Sequence, residues 1–411
     1  MTTVSLVHVA GLPGESYPAL ADDGAWCWFG DPRAVTVARR HTRTFVGYIT
    51  SSGDAEVAQF DHDTGELTRE IVKAELQVDD HANPSLLVRT DGRLMVFYCG
   101  HRGKWMVYRT SSVAEDIGKW GRPSAASGYS SATAGYTYPN PVLLSRENDR
   151  RYVFWRGTDF LPMVCYTDTG MEWSEAVSLL QGEGVTPYVK VASDGDSTIH
   201  FALTNDHPRD EPENSVYYFR YEDGEFRRAD GTSLGGWDDL PLALEDLDLV
   251  YDARSTEARA WLWDVAIDGD GRPVIVYAAF PSTEDHRYRY ARWNGDGWVD
   301  SEIVEAGGAF PTIETGRRDT EPYYSGGLAL DHADPSVVFL SRPVGGIFEI
   351  ERWATADGGE TWESAPVTSG STANNVRPVV PRGWAEGGPR VIWMNGPYRT
   401  FTDYGTSLRM R

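Results

Sequence analysis

Seven times along the chain a short apolar strand is followed, after a tight polar turn, by a second one. The pairs fall at 31–40 with 43–52, 83–90 with 92–100, 140–145 with 150–157, 187–193 with 197–204, 261–268 with 272–280, 325–331 with 335–342, and 377–383 with 389–395. Third strands are expected at 105–112, 162–167, 215–222, 288–293 and 348–355. No stretch carries a convincing helical period. A strand–turn–strand unit recurring every 45–75 residues or so predicts an all-β fold, a seven-bladed β-propeller. The whole chain, 1–411, then forms a single domain, because each blade packs only on its neighbours.

The pattern also predicts how the ring closes. Strand 3–11 precedes the first pair and has no blade of its own. It is expected to complete the last blade, whose other strands end near Arg411, and so to remove an open sheet edge. Segment 223–257, rich in Asp and Leu, is expected as a rim loop or a distorted outer strand.

Composition supports this reading. Fifteen Trp, 21 Tyr and 14 Phe supply core, and 42 Gly with 23 Pro supply turns. The stretch Thr355-Ala356-Asp357-Gly358-Gly359-Glu360-Thr361-Trp362 fits the Asp-box pattern [ST]-x-D-x-G-x-T-W, and a weaker version runs from Asp168 to Trp173. In such a turn the Asp accepts backbone N–H bonds, the Gly takes positive φ and the Trp covers the blade edge. These boxes are structural.

Charge narrows the partners. The formal net charge is −23, and only Lys73, Lys104, Lys119 and Lys190 are lysines. An acidic, lysine-poor surface is the pattern of proteins that stay hydrated in high salt, so a halophilic source is expected; the plain alternative is an ordinary acidic protein. Such a field repels nucleic acid. Cys27, Cys99 and Cys165 are odd in number and lack CxxC spacing, which argues against a disulfide framework or a cysteine zinc site. The start, MTTVSLVHVAG, has no basic region ahead of a long apolar run, and no stretch approaches the ~20 apolar residues of a membrane helix. A cytoplasmic monomer without membrane contact is the expectation. No cofactor is expected, and a structural calcium in the channel is left open.

The phase of the repeat selects candidate chemistry. Paired strands are antiparallel, so the start of the first and the end of the second lie at the same mouth of the ring. Blade two places Asp79-Asp80-His81 and His101-Arg102 there, blade three Tyr138 and Arg156, and blade four Tyr188 with Asn205-Asp206-His207-Pro208-Arg209. Blades five to seven add Trp261, Trp263, Tyr323, Tyr324, Asn375 and Arg377. Each has a plainer reading: His81 as a capping residue, Arg156 paired with Asp159, His207 as a turn. Their shared phase weakens those readings jointly. His8, His41, His62, His200, His286 and His332 fall elsewhere and are read as structural.

No GxSxG, P-loop or HExxH is present. Asp79 and Asp80, as neighbours on a strand, would point to opposite sides and make no glycosidase pair. A His/Tyr/Arg set instead suits proton abstraction beside a carboxylate: Arg binds and neutralises it, which acidifies the adjoining C–H, while His or Tyr moves protons. That is β-elimination on an anionic, uronate-containing carbohydrate.

At these residues the chain resembles the seven-bladed BNR-repeat propellers that include the ulvan lyases and related rhamnose–glucuronate lyases. The likeness lies in Asp80-His81-Ala82-Asn83-Pro84 with Gly100-His101-Arg102-Gly103, Thr137-Tyr138-Pro139 with Arg156-Gly157, Pro187-Tyr188-Val189-Lys190 with Asp206-His207-Pro208-Arg209, and Trp263-Asp264-Val265-Ala266 with Asp270-Gly271-Arg272-Pro273. The resemblance implies that His81 is the base or holds the acid group. It implies that His101 lies near the uronate carboxylate and that Arg156 neutralises it. Tyr138 would protonate the glycosidic oxygen and is the alternative base; Tyr188 would contact substrate. His207 and Arg209 are expected to bind substrate on the same rim. Thr158-Asp159-Phe160 stand where some relatives carry a carboxylate-binding Asn. Tyr138 as base would need Arg156 to lower its pKa, and activity is expected to rise with pH through a His or Tyr limb. Two other readings remain: a sialidase-like hydrolase using Arg156, Arg209 and Arg377, which lacks a rim Glu beside a Tyr, and a non-catalytic carbohydrate-binding propeller.

Overall fold

The computed structural model describes residues 17–130, 135–182, 184–311 and 321–411. Seven antiparallel sheets form the blades of a β-propeller. Their innermost strands are Ala34–Ala38, Ser85–Val88, Thr137–Leu144, Tyr188–Ser193, Arg259–Ile267, Leu328–Leu330 and Asn375–Val379. Thr137–Leu144 is buried along its whole length, because an inner strand meets neighbouring blades on both faces.

The ring closes through the N-terminal region. Ala19–Ala21 pairs with Ser407–Met410 as the outermost strand of blade seven. Strand 3–11 itself lies outside the described residues, as does His8. Segment 223–257 builds a split outer layer for blade four. Glu225–Arg227 pairs with one end of Val216–Glu222, and Asp248–Tyr251 pairs with the other.

Two features that the strand pattern hides position the site. First, the inner strands of blades three, five and seven each carry a register shift near the mouth, between Thr137 and Asn140, Leu262 and Asp264, and Val376 and Val379. Tyr138, Trp263 and Arg377 sit in these shifts. A bulge re-aims a side chain, and Tyr138 and Arg377 pay with φ of 63° and 52°, a region costly for a bulky residue.

Second, the segment before blade one enters the channel. Trp26, Cys27, Trp28 and Phe29 are all buried. Trp28 stacks on Trp263 at 4.0 Å between centroids, and its Nε1 donates to Leu262 O at 2.9 Å. Asn140 Nδ2 donates to Phe29 O, and the Cys27 amide donates to Asn83 Oδ1. Lys190, fully buried, donates to Trp28 O and pairs with Asp31. The segment is thus tied to blades two, three, four and five and floors the mouth. Trp261, Trp263 and Tyr324 are buried against it (2%, 2% and 4% exposed), which removes them from the open surface a sugar could stack on.

Candidate active site at one mouth of the ring

Asp79 caps a single 3-10 turn, Asp80–Ala82, just ahead of the inner strand of blade two. A turn, unlike a strand, lets two adjacent carboxylates reach one imidazole. The expectation that Asp79 and Asp80 diverge therefore fails. His81 Nδ1 lies 2.7 Å from Asp79 Oδ1 and 2.9 Å from Asp80 Oδ1. The second oxygen of Asp79 meets His101 Nδ1 at 2.8 Å, from the loop after the second strand. The two imidazoles stack at 4.3 Å and 6°. Asp80 is held in turn by Arg377 at 2.5 Å and by the Tyr398 hydroxyl at 2.7 Å.

Blade three supplies the next pair. Arg156, at the end of Arg150–Arg156, lies over the rings of Tyr138 (4.9 Å), Tyr188 (4.8 Å) and Phe160 (5.1 Å). Its Nη2 is 3.4 Å from His101 Nε2. Asp159 does not pair with it; the turn Thr158–Phe160 instead lays the Phe160 ring over the guanidinium. Arg156 is 8% exposed, its Nε lacks a partner, and among the described residues no carboxylate pairs with it. Tyr138 also lies 5.5 Å from His81, ring to ring. A cleft lined by Tyr138, Arg156, Pro187 and Tyr188 runs between blades three and four.

Farther round, Tyr188 meets His207 edge-on at 5.7 Å. His207 packs on Trp261 and caps its own turn, accepting the Arg209 amide at Nδ1. Arg209 pairs with Glu321 at 2.8 Å and with Asp210. All seven predicted side chains therefore gather at one mouth. Glu321, the Trp28–Phe29 floor and Phe401, whose ring meets His81 edge-on at 5.0 Å, were missed. Glu321 does place a rim carboxylate three residues before Tyr324, contrary to expectation. The other described histidines lie elsewhere: the His41 amide donates to Glu115, His62 meets Thr44, His200 meets Tyr218, His286 meets Ser325 and His332 meets Asp264.

Electrostatics separate the groups. Burial disfavours charge on His81, but Asp79, Cys27 and Asp80 outweigh it and raise its pKa well above the ordinary value. Burial and the neighbouring His81 charge push His101 down to about 4, against the pull of Asp79. Burial raises Tyr138 well above 10 despite Arg156. Arg156 does lie beside Tyr138 and pulls its pKa down, as a base would need, but burial outweighs it, so the hydroxyl keeps its proton at neutral pH. Burial, then Arg209, hold His207 well below its ordinary value. Two trios, Asp79/His81/His101 and Cys27/Asp80/His81, are close enough to share an ion. Asp79 makes imidazole–carboxylate hydrogen bonds to both rings, which already occupy both Nδ1 atoms, while Asp80 Oδ1 lies 2.9 Å from His81 Nδ1 without a hydrogen bond.

The fold and the cluster define a seven-bladed propeller with histidine, tyrosine and carboxylate side chains gathered at one mouth around an arginine that no carboxylate pairs with among the described residues. The chain belongs to the BNR repeat-containing family, which it matches over residues 43–306. Among solved structures it is similar to an ulvan lyase of family PL25 bound to -[GlcA(1-4)Rha3S]-, with a TM-score of 0.72 at 17% identity over 95% of this chain and 94% of that one. It is also similar to the polysaccharide lyase Uly1, with a TM-score of 0.58 at 11% identity over 98% and 93%. At these identities the likeness is one of fold. No curated protein matches the chain.

Proposed function

We propose that this protein is a polysaccharide or oligosaccharide lyase that cleaves next to a uronate by β-elimination, with a rhamnose–glucuronate linkage as the favoured substrate. The observation that carries the reading is Arg156. A buried guanidinium without a carboxylate is costly, and a protein keeps one where a ligand supplies the missing anion. Arg377, equally buried, shows the contrast: Asp80 already neutralises it.

The uronate carboxylate would sit on Arg156, which withdraws charge and acidifies the proton on C5. His101, neutral and with Nε2 facing Arg156, takes that proton. The C5–H electrons form the C4=C5 double bond as the C4–O bond breaks. Tyr138 gives its proton to the departing glycosidic oxygen, so protons and electrons balance without water entering the product. Tyr188, His207 and Arg209 would bind the flanking sugars. The likeness to the ulvan lyases supports this class of substrate.

The hydrolase reading is less well supported. It needs three free arginines, and Arg377 is spent on Asp80 while Arg209 is spent on Glu321 and Asp210. The Glu321 carboxylate is engaged by Arg209 rather than by the Tyr324 hydroxyl. Incubation with a panel of glucuronate-containing polysaccharides, followed by ultraviolet absorbance and reducing-end assays, tests the proposal. Absorbance from an unsaturated uronate supports it; new reducing ends without absorbance, or binding without either, sinks it.

A further inference from the structure

We propose that Asp79 is the positioning residue of this site: its one carboxylate keeps a proton on Nδ1 of both His81 and His101 and turns both Nε2 atoms away from itself, toward the space a substrate would fill. The inference deepens the lyase reading and rests on it for its chemical consequence, but its geometry stands alone.

Asp79 is 2% exposed, and its oxygens are divided between the two imidazoles, Oδ1 to His81 Nδ1 at 2.7 Å and Oδ2 to His101 Nδ1 at 2.8 Å. Oδ1 also accepts the His81 amide at 3.0 Å, which fixes the carboxylate to the turn. A carboxylate that is ionised can only accept, so each Nδ1 must carry a proton. Because the rings stack nearly parallel on one carboxylate, both Nε2 atoms point away from it in a common direction. On His101 that atom lies 3.4 Å from Arg156 Nη2, a donor, as expected of a bare lone pair.

The two rings then differ in one respect. Asp80 gives His81 a second carboxylate at 2.9 Å, whereas His101 has Arg156 as its other neighbour. The other titratable or charged groups facing the pair are the Cys27 thiol from the channel segment, the Tyr138 ring from blade three and Arg377 behind Asp80 from blade seven. His81 is therefore the ring that keeps its extra proton, and its charge helps hold His101 neutral. The result is a donor and an acceptor side by side: His81 Nε2–H for a substrate oxygen, and the His101 Nε2 lone pair for the C5 proton. Environments that pull two like groups apart in pKa assign acid and base roles.

The test reads the free protein first. In the full chain with nitrogen-15 histidine, long-range proton–nitrogen correlation identifies each tautomer, and His81→Gln and His101→Gln spectra assign the signals. From about pH 5 to 8, across the ordinary histidine range, His101 should be neutral and protonated at Nδ1, with His81 an imidazolium. A His101 protonated at Nε2, or two rings titrating together near the ordinary value, overturns the proposal. Asp79→Asn should mix the His101 tautomers and lower the pH at which His81 loses its proton. It should cut kcat at least about tenfold with KM little changed, and Asp79→Glu should restore part of the loss. An Asp79→Asn protein that folds and keeps both the Nδ1-protonated His101 and the His81 charge refutes the proposal, and should that variant not fold, the unmutated spectrum decides alone. If the tautomers are as stated but no polysaccharide is cleaved, the lyase reading fails and the role of Asp79 stands.

Discussion

Two buried arginines at the same mouth, Arg156 against His101 and Arg377 against Asp80, should behave in opposite ways when each is replaced by methionine. Arg377→Met strips Asp80 of its guanidinium and leaves a carboxylate inside the ring with only the Tyr398 hydroxyl and His81 beside it. Breaking a buried pair in this way costs about 3–5 kcal/mol. Arg156→Met removes a charge that has no carboxylate partner among the described residues. It relieves the desolvation of that charge, several kcal/mol per ion, and gives up three cation–π contacts at 4.8 to 5.1 Å, worth about 0.5–2 kcal/mol each when desolvated. Methionine recovers part of this through sulfur–aromatic contact. The terms nearly cancel, so Arg156→Met should fold within about 2 kcal/mol of the parent. Its activity should collapse. A charge-assisted bond to the uronate is worth about 1.5–3 kcal/mol, and it strengthens as charge builds beside it in the transition state. About 3–4 kcal/mol in all corresponds to a two- to three-decade loss of kcat/KM. Urea denaturation and initial rates on the same two preparations check both halves. If Arg156→Met is as unstable as Arg377→Met, and its folded fraction turns over normally, Arg156 is structural and the argument collapses.

Three further outcomes follow from the same geometry. Tyr138→Phe should lower kcat by about a hundredfold or more with unchanged stability, because no described residue hydrogen-bonds that hydroxyl; equal rates for the two proteins would remove Tyr138 as the acid. kcat/KM should rise with pH through about 4 as His101 sheds its proton and then stay level across neutrality, since a group with a depressed pKa is already in its basic form there; a limb centred at the ordinary histidine value would contradict the assignment. Turnover should survive prolonged dialysis against a chelator; activity lost and regained with calcium or zinc would show that the trios around His81 hold an ion rather than hydrogen bonds.

The fold was legible because its signal is local. Strand alternation and turn chemistry repeat seven times, and antiparallel pairing turns the phase into a position, which gathered His81, His101, Tyr138, Arg156, Tyr188, His207 and Arg209 at one mouth. What stayed hidden depends on departures from the repeat. Asp79 and Asp80 read as strand neighbours, and only the 3-10 turn lets both reach His81. Arg377 read as a free rim cation, because a partner 297 residues away in sequence leaves no local trace. The aromatic run Trp26-Cys27-Trp28-Phe29, ahead of the first strand pair, was given no role; its density was a usable signal, since four large or apolar residues without a strand partner must be buried against something else. Ala19–Ala21 closes the last blade too briefly to show a period.

The central claim is elimination at this mouth, and the most direct measurement follows the oxygen atoms. Digestion of a glucuronate–rhamnose polysaccharide in heavy-oxygen water, with mass spectrometry of the oligosaccharides, distinguishes elimination from hydrolysis at each cleaved bond. The account predicts products whose new non-reducing end is lighter by one water and whose glycosidic cleavage takes up no solvent oxygen. Products that carry one heavy oxygen per cut would contradict it.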